Sequence, residues 1–241
     1  MHKTISQAES LIHDILKIYQ PKASLELAVA PPFVALQAVA RLLTPTSIKL
    51  AAQNVCATDE GAFTGEISPP MLREAGCHYV IIGHSERRHI FGETDQDIHA
   101  KIHAALRHSL LPILCVGERL EERQANQTQS VIQRQLQTGL DGLESKDLAH
   151  ITIAYEPVWA IGTGQAATVD QAEEVHAHIR SFLSKQWGIH SDQTRIIYGG
   201  SVSTDNANLF FESPQINGAL VGKACLNSES FVKIAQLATS D

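Results

Sequence analysis

Cysteine is scarce and scattered in this chain. The four thiols, Cys56, Cys77, Cys115 and Cys225, lie far apart and form no C-x-x-C pair. That argues against a disulfide scaffold or a cysteine zinc site and fits a reducing compartment. Basic runs are also missing. Lys and Arg number 19 against 26 Asp and Glu, a formal net charge of -7, so neither nucleic acid nor an anionic membrane is an expected partner. No apolar stretch approaches the roughly 20 residues that span a bilayer, and no charged-then-apolar export signal opens the sequence. Linkers, low-complexity segments and shifts in composition are absent as well. The expectation is a soluble, cytoplasmic protein with one domain over residues 1–241, and 44% apolar residues are ample for a single core.

What is present is a strict alternation. Ser6-Gln7-Ala8-Glu9 reads as a capping box opening a helix whose Leu11, Ile12, Ile15 and Leu16 share one face, with Pro21 beyond its end. Seven short apolar runs follow, each before a stretch of helical periodicity: 25–30, 48–52, 79–82, 113–116, 151–155, 195–198 and 219–221. Helix-opening signals lie between them: Pro31-Pro32, Ser68-Pro69, the capping box Thr168-Val169-Asp170-Gln171, and Ser228. Continuous apolar runs suit parallel strands covered by helices, and the alternation predicts an α/β fold with a parallel sheet.

Glycine placement separates an open doubly wound sheet from a closed (β/α) barrel. Gly83, Gly117, Gly162, Gly164, Gly199, Gly200 and Gly222 fall at or just past the ends of the runs, which would line one rim, where barrel enzymes build their sites. A dinucleotide fold would concentrate glycine in its first strand–helix turn instead. The G-x-G-x-x-A match at 162–167 is separated from its strand by six residues, Glu156 to Ile161, and does not meet that fingerprint's geometry.

Three rim segments carry candidate chemistry. His84 follows the 79–82 run just before a helical turn, where free N–H groups favour a neutral imidazole able to donate to a substrate oxygen. Taken on position alone, one of 12 histidines satisfied within a loop is the better fit. Glu156 ends the 151–155 run as a candidate general base, and Pro157 to Gly164 after it has the make-up of a lid or of an exposed loop whose Trp159 packs on the rim. Gly199-Gly200-Ser201 and Gly222-Lys223 end the last two runs and favour a phosphate cradle over ordinary turns. Glu118 to Arg123 reads as a solvated helix face. His176 and His178, two apart on a helix, are no metal pair. The loop Gly61–Glu66 is either a surface excursion or a contact for a partner subunit.

Together, Ala52-Gln53-Asn54, Gly61–Glu66, Tyr79–Arg88, Ala154–Gly164, Tyr198–Val202 and Gly218–Gly222 resemble the triosephosphate isomerase family, in family order from Met1 to the final helix. The resemblance implies a (β/α)8 TIM barrel and interconversion of dihydroxyacetone phosphate and glyceraldehyde 3-phosphate in glycolysis and gluconeogenesis. No metal or cofactor is implied, and the family usually acts as a homodimer. It implies Glu156 as the base that shuttles a proton between two substrate carbons and His84 as the electrophile. Gly162, Ser201, Gly222 and Lys223 match its phosphate-binding positions, held mostly through backbone N–H groups, and Gly61–Glu66 its subunit-contact loop. Gln165 stands where a lysine is common in the lid's distal hinge. The family also begins with a strand ending in Asn-x-Lys, and Met1-His2-Lys3-Thr4 corresponds to the residues after that lysine. The expectation is thus a barrel whose first strand is missing from the chain as given, with Lys3 not the catalytic lysine, Glu86 lacking its partner, and activity impaired. Two other readings are a barrel that only binds phosphate ligands or partners, and another sugar-phosphate barrel enzyme, an aldolase or synthase.

Overall fold

The computed structural model describes residues 1–161, 166–188 and 194–238. Helix α1 (Ile5–Ile18) starts earlier than the sequence suggests. Its cap is Thr4, whose side chain accepts from the Gln7 N–H while the Gln7 side chain accepts from the Thr4 N–H. Threonine and glutamine three apart form the same reciprocal box that Ser6 and Glu9 were expected to make; the register differs by two residues, and Ala8, Ile12 and Ile15 form the buried stripe.

Then come β1 (Ala28–Val29), α2 (Leu36–Leu43), β2 (Lys49–Ala52), α3 (Pro69–Glu74), β3 (Tyr79–Ile82), α4 (Ser85–His89) and α5 (Asp95–Arg107). The second half runs β4 (Leu111–Val116), α6 (Leu120–Gln124), α7 (Thr128–Gly139), α8 (Ser145–Leu148), β5 (Thr152–Tyr155), α9 (Val169–Trp187), β6 (Ile196–Tyr198), α10 (Ala207–Phe211) and α11 (Ser228–Leu237). The Thr168–Gln171 capping box opens α9 as the sequence predicts. All six strands lie parallel in the order β1-β2-β3-β4-β5-β6. The seventh apolar run contributes a single parallel bridge, Ala219 to Tyr198, flanked by hydrogen bonds from the Tyr198 N–H to Gly218 O and from the Leu220 N–H to Tyr198 O, each 2.9 Å. Among the described residues, the outer edges of β1 and of this last segment have no ladder partner.

Strand order equal to chain order has a direct consequence. A doubly wound sheet reverses its order once, placing helices on both faces. Here no reversal occurs, and the two faces differ. Leu50, Ala52, Val80, Ile82, Leu114, Val116, Ile153, Tyr155, Ile196 and Tyr198 join the large core with the helices, whereas Ala51, Tyr79, Ile81, Ile113, Cys115 and Ala154 pack on one another. Alternate residues of each strand therefore face the helices and the interior of a curled sheet, which is barrel packing. Glu156 continues the inward phase of Ala154, so its carboxylate is delivered to the mouth at the strands' C-terminal ends.

Candidate active site

Gly83 sets the first half of the site. It adopts a left-handed φ of 73°, and a Cβ there would stand 3.0 Å from both the Arg88 guanidinium and Ile98. Only glycine turns β3 this sharply at that spot. The next residue, His84, caps α4 with its ring: the Glu86 N–H donates to Nδ1 across 3.3 Å. An accepting Nδ1 places the ring proton on Nε2, which donates to Glu156 Oε1 at 2.9 Å.

Two glycines on neighbouring strands let Glu156 reach that ring. A Cβ at Gly117 would lie 1.7 Å from the Glu156 carbonyl oxygen, and one at Gly199 2.9 Å from its Cγ. The Glu156 side chain is only 3% exposed, against 29% for His84. Its second oxygen accepts the Ser85 N–H at 2.9 Å, so the first turn of α4 holds both members of the pair. Burial by itself pushes the His84 imidazole down, but the hydrogen bond and charge of Glu156 outweigh it and hold the ring above the usual imidazole range. In this ligand-free arrangement the helix start therefore does not set the ring's proton affinity, which the Glu156 carboxylate raises. The helix N–H groups act on Nδ1, while a full carboxylate charge acts on Nε2.

Three contributors escaped the sequence reading. Ser85 acts through its backbone, signalled only by its place in a first helical turn. Cys115 points inward beside the pair, and burial, then the Glu156 charge, raise its thiol well above the ordinary range and keep it protonated. The largest correction is Glu118. It lies on no solvated helix face: it is fully buried just past the end of β4. It accepts from Arg123 at 3.1 Å, from the Tyr155 hydroxyl at 3.2 Å and from the Trp159 indole at 2.9 Å, and its carbonyl accepts the Val158 N–H at 3.1 Å. Arg123 also stacks over the Trp159 ring, 4.7 Å from its centroid. Glu118 thus anchors the root of the Pro157–Gly164 segment. Like Glu156, it is a carboxylate just beyond a strand end, and that logic applied twice would have found it.

The cradle candidates divide. The Ala219–Tyr198 bridge sets Gly199-Gly200-Ser201 and Gly222-Lys223 side by side on the same rim as the pair, with Ser201, Gly222 and Lys223 exposed. Gly162 and Gln165 lie outside the described residues. The loop Gly61–Glu66 is exposed throughout, with glycines in positive φ at 61 and 65 and half of Phe63 in solvent. A cavity of about 470 Å³ lies elsewhere, between α1 residues such as Gln7 and Leu11 and the 226–228 turn. Among the described residues no His/Cys/Asp/Glu group could hold a metal, and no helix is long and apolar enough to cross a membrane.

Fold and site define a (β/α) barrel enzyme with a carboxylate–imidazole pair on its C-terminal rim. The family model described as triosephosphate isomerase matches residues 1–238. The chain is similar to the triosephosphate isomerase of Aquifex aeolicus, 50% identical over 234 residues that cover 97% of this chain and 94% of that one. The isomerase of Chloroherpeton thalassium is 48% identical over 240 residues, 99% and 95% of the two chains, and that of Rhodopirellula baltica 46% identical over 241 residues, 100% and 95%. The chain belongs to the triosephosphate isomerase family.

Proposed function

We propose that this chain interconverts dihydroxyacetone phosphate and D-glyceraldehyde 3-phosphate, an aldose–ketose isomerisation of glycolysis and gluconeogenesis. The observation that supports it most is the 2.9 Å contact between His84 Nε2 and Glu156 Oε1: a buried base and a proton donor meet where a substrate's adjacent carbons and oxygens would lie. Glu156 removes a proton from the carbon beside the carbonyl, and the electron pair left behind forms an enediolate. His84 Nε2–H donates to the developing oxyanion and relays a proton between the two oxygens. Glu156 then returns its proton to the neighbouring carbon. Substrate must displace the resting contact between the two side chains, and losing the carboxylate's pull leaves burial as the main influence on His84, which favours the neutral donor.

Backbone N–H groups of Gly162, Ser201, Gly222 and Lys223 hold the phosphate, and the segment rooted on Glu118 closes over it to exclude water. The chemistry moves protons only, so no cofactor is invoked. We place the enzyme in the cytoplasm, in keeping with its four free thiols, and as a homodimer joined through Gly61–Glu66, supported by the exposed side chains of Phe63, Ile90 and Phe91. Purified protein should convert dihydroxyacetone phosphate to the aldehyde in a coupled assay, with Glu156→Gln slower by at least about 100-fold. A wild-type protein without turnover, or a variant as fast as wild type, refutes the assignment.

A further inference from the structure

Strand β3 leaves the sheet early. At Gly83 it turns to present His84, whereas β4 runs on to Val116 and Gly117. Odd-numbered residues of β4 direct their backbone groups toward β3 and even-numbered ones toward β5. Thus the Leu111 N–H donates to His78 O, and the Glu156 N–H to Val116 O, each at 2.8 Å. Past the Gly83 turn, Cys115 O and both backbone groups of Gly117 face a strand that has gone. Buried backbone groups need partners, and here side chains supply them.

The Arg88 guanidinium donates to Cys115 O at 3.0 Å. Gln135, on the buried face of α7 and 3% exposed, takes both groups of Gly117. Its Oε1 accepts the Gly117 N–H at 2.8 Å, and its Nε2 donates to Gly117 O at 3.1 Å. A side-chain amide carries an acceptor and a donor as a peptide does, so Gln135 stands in for one residue of the departed strand. Gly117 in turn supports Glu156. A Cβ on it would lie 1.7 Å from Glu156 O and 3.4 Å from Glu156 Cα, so the Glu156 backbone rests directly on this glycine. The other flank is tied separately, by the Gly199 N–H donating to Tyr155 O at 2.7 Å.

We propose that Gln135 is a positioning residue for the isomerisation: by clamping both backbone groups of Gly117, it fixes the Glu156 carboxylate against His84 Nε2. The inference rests on the isomerase reading and extends the site to a helix side chain that touches neither member of the pair.

The test uses the full chain with three variants. Gln135→Met keeps length and burial without the amide, Gln135→Glu keeps shape, and Ile132→Val loosens buried α7 packing as a control. In wild type the Gly117 N–H should exchange with solvent as slowly as the amides of β4. The His84 15N titration, which needs no substrate, should move down in Gln135→Met because the carboxylate that raises it is displaced. The same variant should lose about ten- to 100-fold in kcat, the cost of misplacing a reacting group by up to an ångström, with KM within about two-fold. Relative to wild type at each pH, Gln135→Glu should lose activity as its carboxyl ionises. It should recover as pH falls and the protonated acid again donates and accepts. Ile132→Val should keep the wild-type titration and kcat.

A freely exchanging Gly117 N–H in wild type overturns the proposal whether or not the variants fold. So does an unmoved His84 titration in Gln135→Met, a loss confined to KM, or an equal loss in Ile132→Val. Wild type without turnover, whose His84 titration still moves in Gln135→Met, refutes the isomerase reading alone.

Discussion

Replacing Glu156 by glutamine should lower the proton affinity of His84, and the structure says by how much and why. The ring is subject to two opposed influences: burial disfavours its cation, and the carboxylate 2.9 Å away favours it and wins. Glutamine keeps the shape and the burial but removes the charge. A hydrogen bond to an ionised partner contributes about 1.5–3 kcal/mol, so the ratio of protonated to neutral His84 at a given pH should fall at least about ten-fold. With that influence gone, burial outweighs the smaller pull of the Glu86 charge, and the ring should titrate below an ordinary imidazole. Imidazole 15N chemical shifts followed from pH 5 to 9 read this directly and report the tautomer of the neutral ring, expected to be Nε2–H. Stability supplies a second reading. The raised His84 stabilises the fold fully below the ordinary imidazole pKa and loses that contribution as pH rises through its elevated value. Wild type should therefore soften on the alkaline side and the variant should not. An imidazole titrating unchanged or higher in Glu156→Gln would refute the reasoning.

Gly199→Ala puts a methyl 2.9 Å from Glu156 Cγ; displacing the base by a fraction of an ångström should cut kcat about 100-fold while circular dichroism stays native. Glu118→Gln leaves Arg123 without its ion pair and weakens the bonds to Tyr155 and Trp159; urea unfolding should show a loss of about 1–3 kcal/mol, and a change under 0.5 kcal/mol would remove Glu118 as the anchor. His176 is fully buried on α9, its Nδ1–H donating to Gln215 O at 3.3 Å, and burial lowers its pKa to about 4. The unfolded chain binds that proton first, so stability should fall by about 3 kcal/mol as pH drops from 6.5 to 4, and His176→Phe should flatten that slope in urea titrations.

Much of this was legible in one dimension because its signals are local. Parallel strands covered by helices read as apolar runs, and all seven fell where strands or, for 219–221, a single bridge formed. The Thr168–Gln171 box and the glycines at strand ends were equally readable, since each needs only its own few residues. Helix α1 shows the limit: two overlapping boxes compete, and both sequences satisfy the pattern, yet only Thr4 and Gln7 close in space. Glu118 was misread for a related reason. Its neighbours look like a charged helix face, and only the packing of β4 against β5 reveals that it is sealed under Trp159.

By itself, then, the sequence determined a strand-and-helix succession, a glycine-lined rim, and a histidine and a glutamate at strand ends. Tertiary structure alone decided that His84 and Glu156 touch, that the pair shares the first turn of α4, and that the ring holds its proton more tightly than an isolated histidine. Periodicity and caps arise from contacts a few residues apart, whereas proton affinity depends on charges brought within a few ångströms by folding, through the close approach that Gly117 and Gly199 permit.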